Sequence, residues 1–324
     1  MNNKFTKFAA SAVLATSLAT PAIAADQLNV AYFLEWATPN MIAKVEKAYD
    51  EALGVPVKWT AFEAGTQMTE AMIAGDIDIS FSQGLAPFIN GVNANAPIKM
   101  VGLAVQYPAN ECIVRNGAGI DASNASELEG KKVAVPLATM ADFSFRMQMR
   151  ALDVDVDKIT VVDQVPADAV VSLAEGNVDM ACVFGGNALA SALEVGKQLM
   201  EPGKMEEAGI ISFDVVSVRE KFLQENPDMV KTFMEVTDKA NTDFAADQSK
   251  IEIIQKDSGL KDIEATEKQM STMTFPSNAD QMAKYFGEEG IAAAAIKVVG
   301  NAFATEENPA KEDYSVVIDT SFLK

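Results

Sequence analysis

One phrase occurs twice in this chain. Residues 75–79 read Gly75-Asp76-Ile77-Asp78-Ile79, and residues 176–180 read Gly176-Asn177-Val178-Asp179-Met180. Each follows an alanine-rich helical pattern, Thr69 to Ala74 in one and Ala167 to Glu175 in the other. Each runs into an apolar strand and a glycine turn, Ser82-Gln83-Gly84 and Phe184-Gly185-Gly186. A repeated unit of helix, Gly-x-apolar-Asp, strand and Gly turn predicts two similar α/β lobes. Two lobes leave a cleft between them, a preferred place for a small ligand.

The rest of the chain fits that reading. Leu28 to Phe33 is a strand of β-favouring residues. Asn40 to Leu53 is an amphipathic helix with Ile42, Val45, Tyr49 and Ala52 on one face, started by Thr38-Pro39 and ended by Gly54. Strands over 55–62, 76–81 and 98–105 alternate with helices over 65–74 and 86–95. The pattern restarts with strands over 112–115, 132–135, 159–162, 178–183 and 211–218, and helices over 138–152, 167–174 and 187–195. Such alternation marks parallel sheets covered by helices. Beyond Val218 the chain reads as mainly helical, over 227–245, 249–256, 263–273 and 279–299. The expected division is residues 25–106 and 215–324 for the first lobe and 107–214 for the second. Crossings near Tyr107-Pro108 and Phe213-Asp214 would form a two-strand hinge, with the helical last third returning to the first lobe.

Residues 1–24 read as an export leader: Lys4 and Lys7, an apolar run from Phe8 to Thr20, and Ala22-Ile23-Ala24 as a cleavage site. The run is too short and too rich in Ala and Ser to span a bilayer well. The mature chain is expected to start near Ala25, outside the cytoplasm. Its formal net charge of −20, more negative still without the two leader lysines, repels phosphate backbones and excludes nucleic acid as a natural partner. The 324 residues include no histidine. That removes the commonest general base and zinc ligand and the usual serine and cysteine triads, so no catalytic residue, metal or cofactor is expected. Export permits a disulfide between Cys112 and Cys182; two buried free thiols are the alternative.

The strand Val30-Ala31-Tyr32, the phrase at Gly75, the segment Gly130-Lys131-Lys132-Val133-Ala134-Val135-Pro136 and the phrase at Gly176 resemble, in that order, periplasmic solute-binding proteins of ABC importers. The best-fitting branch is the taurine, aliphatic-sulfonate and nitrate family. The resemblance implies a bilobal type II periplasmic-binding-protein fold, a monomer that is not an enzyme, a small organic ligand held in the cleft, and an inner-membrane permease as partner. By physical placement at the carboxyl ends of the strands, the ligand residues are expected among Glu35, Trp36, Gln83, Thr139, Phe143, Phe184 and Asn187. Asp214 matches the acid that pairs with the ligand's ammonium in taurine-binding members, and Glu35 offers a second acid. Asp142 and Phe143 depart from the family, which often reads His-Tyr there. An Asp142 facing the cleft would repel a sulfonate and favour a more cationic amine or betaine. An enzyme related to thiamine-pyrimidine synthesis would need histidine and a cytoplasmic address; a sensor domain would share the ligand site.

Overall fold

Among the residues that the computed structural model describes, 25–108, 111–210, 212–287 and 290–324, ten strands divide into two five-stranded sheets. The expected leader lies outside them. The first sheet has the order β2-β1-β3-β10-β4, with β1 Leu28–Phe33, β2 Val57–Phe62, β3 Ile79–Gly84, β4 Ile98–Tyr107 and β10 Ser212–Arg219. The second has the order β7-β6-β8-β5-β9, with β5 Glu111–Arg115, β6 Lys132–Val135, β7 Thr160–Asp163, β8 Met180–Val183 and β9 Gly196–Gln198. In each sheet the first three strands are parallel and the fourth, β10 or β5, is antiparallel to both neighbours. The fold is the bilobal α/β fold of periplasmic binding proteins.

The repeated phrase does the same work in both sheets. Gly75 and Gly176 end the helices α3 Gly65–Ala74 and α6 Pro166–Glu175 in the left-handed region, φ +89° and +76°. There a residue with a Cβ is strained. Asp76 N–H then donates to Ala71 O, and Asn177 N–H to Ser172 O, each at 2.9 Å. Asp78 and Asp179 follow and tie three strands together. The Asp78 carboxylate accepts from Asn29 N–H at the head of β1 and pairs with Arg219 at the end of β10 (2.7 Å). The Asp179 carboxylate accepts from Lys132 N–H at the head of β6 and faces Arg115 at the end of β5 (3.7 Å).

Helices cover both sheets. In the first lobe these are α1 Asn40–Val45, α2 Ala48–Leu53, α3 and α4 Leu85–Asn93. In the second they are α5 Met140–Ala151, α6 and α7 Gly186–Val195, and α8 Pro202–Glu207 precedes β10. The single helix expected over 40–53 is broken at Lys47, whose φ is +60°. The break shifts the helical phase, so Met41, Ala43 and Tyr49 are buried while Val45 and Ala52 face solvent. The last third supplies α9 Glu220–Glu225, α10 Pro227–Ala246, α11 Ile251–Ser258, α12 Ile263–Ser271, α13 Asn278–Asp280 and α14 Ile291–Ala302. It packs chiefly on α1, α2 and α4. The helix expected over 279–299 is instead α13, a widened turn over 281–285 and α14. That turn aims Gln281 at the β4 edge, where its Oε1 accepts from Leu103 N–H at 2.7 Å and closes an otherwise open sheet edge.

The chain passes from the first sheet to the second between Tyr107 and Glu111. It returns between Gln198 and Ser212, earlier than expected from sequence. Phe213 and Asp214 therefore lie inside β10, within the first sheet. Cys112 and Cys182 are disulfide-bonded, directly opposite on β5 and β8, at 1% and 0% exposure.

Two stability predictions follow from these ties. Asp78→Ala leaves Arg219 half-buried without its partner and should cost about 2–3 kcal/mol in urea unfolding, somewhat below the range for a fully buried pair. Asp179→Ala breaks a longer, more exposed pair and should cost under about 1 kcal/mol. Equal costs would mean that the two phrases owe their stability to backbone bonds alone. Reducing the Cys112–Cys182 bond should cost about 2–5 kcal/mol; an unfolding midpoint unmoved by reductant would show that the covalent tie adds nothing.

Candidate functional site

The carboxyl ends of both sets of parallel strands face each other, and between them lies a cavity of about 410 Å³ of empty space. Its lining includes Phe33, Trp36, Gly65, Gly84, Tyr107, Thr139, Met140, Phe184, Gly185 and Asp214. The position follows from the topology: each β-strand hands over to a helix whose first turn opens at the cleft.

Four helices begin at this cavity. The residues capping α3, α4 and α7 are Ala64, Gly84 and Gly185, and none supplies a side-chain cap. Uncapped first turns carry backbone N–H groups and the positive end of the helix dipole, a standing invitation to an anion. The fourth, α5, is capped: Thr139 Oγ accepts from Ala141 N–H at 3.2 Å and donates its proton to Pro136 O at 2.6 Å. Thr139 lines the cavity, but its hydroxyl donor is already spent.

Asp214 supplies the opposite charge. It is 2% exposed, on β10. Its Oδ2 accepts from Ser82 Oγ and its Oδ1 from Tyr107 OH, both at 2.8 Å. Trp36 Nε1–H donates to the same Ser82 Oγ at 3.0 Å, and the Trp36 ring meets Tyr107 edge-on at 4.9 Å. Burial pushes the Asp214 carboxyl up to about 7, and the bonds from Ser82, Tyr107 and Trp36 pull it only part of the way back. Among the described residues no Lys or Arg pairs with it. A buried carboxylate framed by aromatic rings and lacking a cation is built to receive one.

The structure separates the residues expected from sequence. Trp36, Thr139, Phe184 and Asp214 line the cavity, and Phe184 approaches Phe33 of the other lobe at 6.2 Å. Gln83 does not. Strand alternation turns it to the opposite face from Ser82. There it donates to Gly65 O and Thr69 Oγ and accepts from Ser217 Oγ. Phe143 is also absent from the lining, packed in an apolar cluster with Met140, Met205 and Phe213. Asp142 points away: it accepts from Ala138 N–H at 2.9 Å and pairs with Arg146 at 2.7 Å. Ser82, Tyr107 and Phe33 were missed. The signal available was strand parity, which puts Ser82 rather than Gln83 beside Asp214.

Glu35 and Asn187 stand at the rim and close it. Gly186 N–H donates to Glu35 O (3.1 Å), and Ala188 N–H to Glu35 Oε2 (3.4 Å). Asn187 donates to Gly259 O (3.1 Å) and accepts from Lys261 N–H (3.2 Å). Glu35 is itself fixed by Ser258 O and by Gln269 of α12. These bonds join α7 of the second lobe to the first lobe and its C-terminal helices. Asn187→Ala removes two of them, each worth about 0.5–1.5 kcal/mol net. Affinity should fall about 5- to 30-fold for every ligand alike. Calorimetric titration of two ligands checks this, and a changed ratio between them would place Asn187 against the ligand instead.

The comparisons with known proteins agree with this architecture. The chain is 25% identical over 319 residues to a taurine-binding periplasmic protein of Escherichia coli (strain K12), covering 96% of this chain and 91% of the relative. It is 27% identical over 298 residues to a putative aliphatic sulfonates-binding protein of Bacillus subtilis (strain 168), covering 89% and 84%. The crystal structure of the periplasmic aliphatic sulphonate binding protein SsuA from Escherichia coli superposes with a TM-score of 0.67 at 20% identity, covering 86% of this chain and 92% of that one, and so shares the fold. These relatives are binding proteins, and like them the chain is not an enzyme. The family described as NMT1/THI5 like matches residues 37–251, well over half of the 324, and the chain belongs to that family.

Proposed function

We propose that this chain is the solute-capturing subunit of an ABC importer, working as an exported periplasmic protein. It takes taurine or a taurine-like aminosulfonate into the cleft and presents it to an inner-membrane permease. The carrying observation is the polarity of the cavity. Helix N-termini open at one side, and the buried Asp214 carboxylate stands at the other without a protein cation among the described residues. A short zwitterion answers both. Its sulfonate meets the first turns of α3, α4 and α7, and its ammonium meets Asp214 within the Trp36 and Tyr107 rings. The names of the relatives, one taurine-binding and one aliphatic sulfonates-binding, support this class of ligand. Asp142 raises no objection to a sulfonate, because its charge is taken up by Ala138 N–H and Arg146.

Asp214→Asn keeps the shape and removes the charge. Affinity for taurine should fall by at least about 1.5 kcal/mol, roughly tenfold, with an unchanged circular dichroism spectrum. Unchanged affinity removes Asp214 from the ammonium site. Tighter binding of plain sulfonates alone points to an anion without an amine. The pH dependence gives a second reading of the same residue. Its native pKa of about 7 lies above the ordinary 3.8, so the empty protein holds a proton there that the unfolded chain has lost. Stability of the empty protein should therefore fall as pH rises from about 4 to about 7. An ammonium ligand selects the ionised form, so its affinity should rise across the same window, by up to about tenfold per pH unit. In Asp214→Asn both trends should flatten; a wild-type affinity flat from pH 5 to 8 contradicts this.

A further inference from the structure

A second, larger cavity adjoins the first, with about 1250 Å³ of empty space. It lies between α7, α12 and the first crossing between sheets. Trp36, Tyr107, Phe184 and Gly185 line both cavities. The partition between them is therefore made by the rings that frame Asp214. A group attached to the ligand's ammonium nitrogen, pointing away from the sulfonate, reaches this partition first.

The lining of the second cavity is amphipathic. Val183, Leu189, Leu193 and Met273 give it apolar walls. Glu111, at the start of β5, gives it a carboxylate whose Oε2 is buried and without a hydrogen-bond partner among the described residues. Burial raises the Glu111 carboxyl, while Gln198 and Lys268 pull it down. A buried acceptor without a donor is costly and calls for one from the occupant. Nothing in an unsubstituted two-carbon zwitterion seated on Asp214 reaches it.

We propose that the second cavity holds the substituent of an N-substituted aminosulfonate, with Glu111 accepting a hydrogen bond from a hydroxyl or amine at its far end. This rests on the reading of the cleft as an aminosulfonate site. It makes the preferred solute larger than taurine. Trp36 and Phe184 then act as a collar around the nitrogen rather than as the end of the pocket.

Titration calorimetry and stopped-flow binding with taurine and N-(2-hydroxyethyl)taurine test this on the wild type, Ala190→Trp and Glu111→Leu. Ala190 is exposed on α7 and lines only the second cavity, so an indole there fills it without disturbing a core. The wild type should bind the hydroxyethyl compound at least about tenfold more tightly. Ala190→Trp should abolish that preference and leave taurine within about twofold. Glu111→Leu keeps the volume, removes the acceptor and should reduce the preference by a similar factor. A wild type that binds taurine as tightly as the substituted compound overturns the inference and leaves the aminosulfonate reading standing. Equal slowing of association for both compounds in Ala190→Trp makes the cavity an access route and also overturns it. Binding of neither compound by the wild type overturns both readings.

Discussion

Three strands of each sheet are held at one end by a single aspartate. Asp78 joins the heads of β1 and β3 to the tail of β10, and Asp179 joins β6 and β8 to β5 in the same way. Both ties sit at the amino ends of the parallel strands. The opposite ends are left to carry loops and helix starts, and those ends form the cavity. Fixing the sheet far from the ligand lets the cleft residues answer to the ligand rather than to stability. The strained backbone falls at the cleft accordingly: Glu35, Ser82 and Ala138 all have φ near +60° without being glycine.

The charges are divided by fold. Parallel strands followed by helices deliver positive helix ends to the cleft on both sides, and no lysine or arginine is needed to hold an anion there. The antiparallel β10 delivers a carboxylate from the other direction. An ionised Asp214 in the empty cavity is poorly solvated, and the three donors around it do not fully compensate. The protein therefore keeps its binding energy in reserve as an unsatisfied charge, which an ammonium releases.

Much of this could be read from the sequence, in proportion to how local the determinant is. The repeated phrase is a helix end, a turn and a strand start, all set within a few residues, and the two lobes follow from it. Elements over 28–33 and 227–246 were placed almost to the residue because their periodicity is undisturbed. The helix over 40–53 was not, because a left-handed Lys47 leaves no mark in the pattern of apolar residues. Within the site, Trp36, Phe184 and Asp214 were legible as aromatic or acidic residues on loops and crossing strands. Gln83 was misplaced because one step along a strand reverses the face. Phe143 was misplaced because an apolar ring beside a cleft packs as readily behind it as in it. Tyr107, sixth in a run of strand residues, gave no sign that its hydroxyl reaches Asp214.

Glu35 and Asn187 show why proximity to a cleft does not make a residue a ligand contact. Both lie on loops that open at the cavity, yet their polar groups are spent on backbone partners across the rim. Four such bonds, each worth about 0.5–1.5 kcal/mol net, amount to a closing bias of only a few kcal/mol. Ordering two lobes against each other opposes it. A bias of that size leaves the balance between open and closed forms within reach of one small ligand. The ligand's contribution is made at Asp214 and at the helix starts, where charge is unmet until it arrives. The rim bonds then multiply affinity without choosing between ligands, and choice is left to the carboxylate, the helix ends and the rings between them.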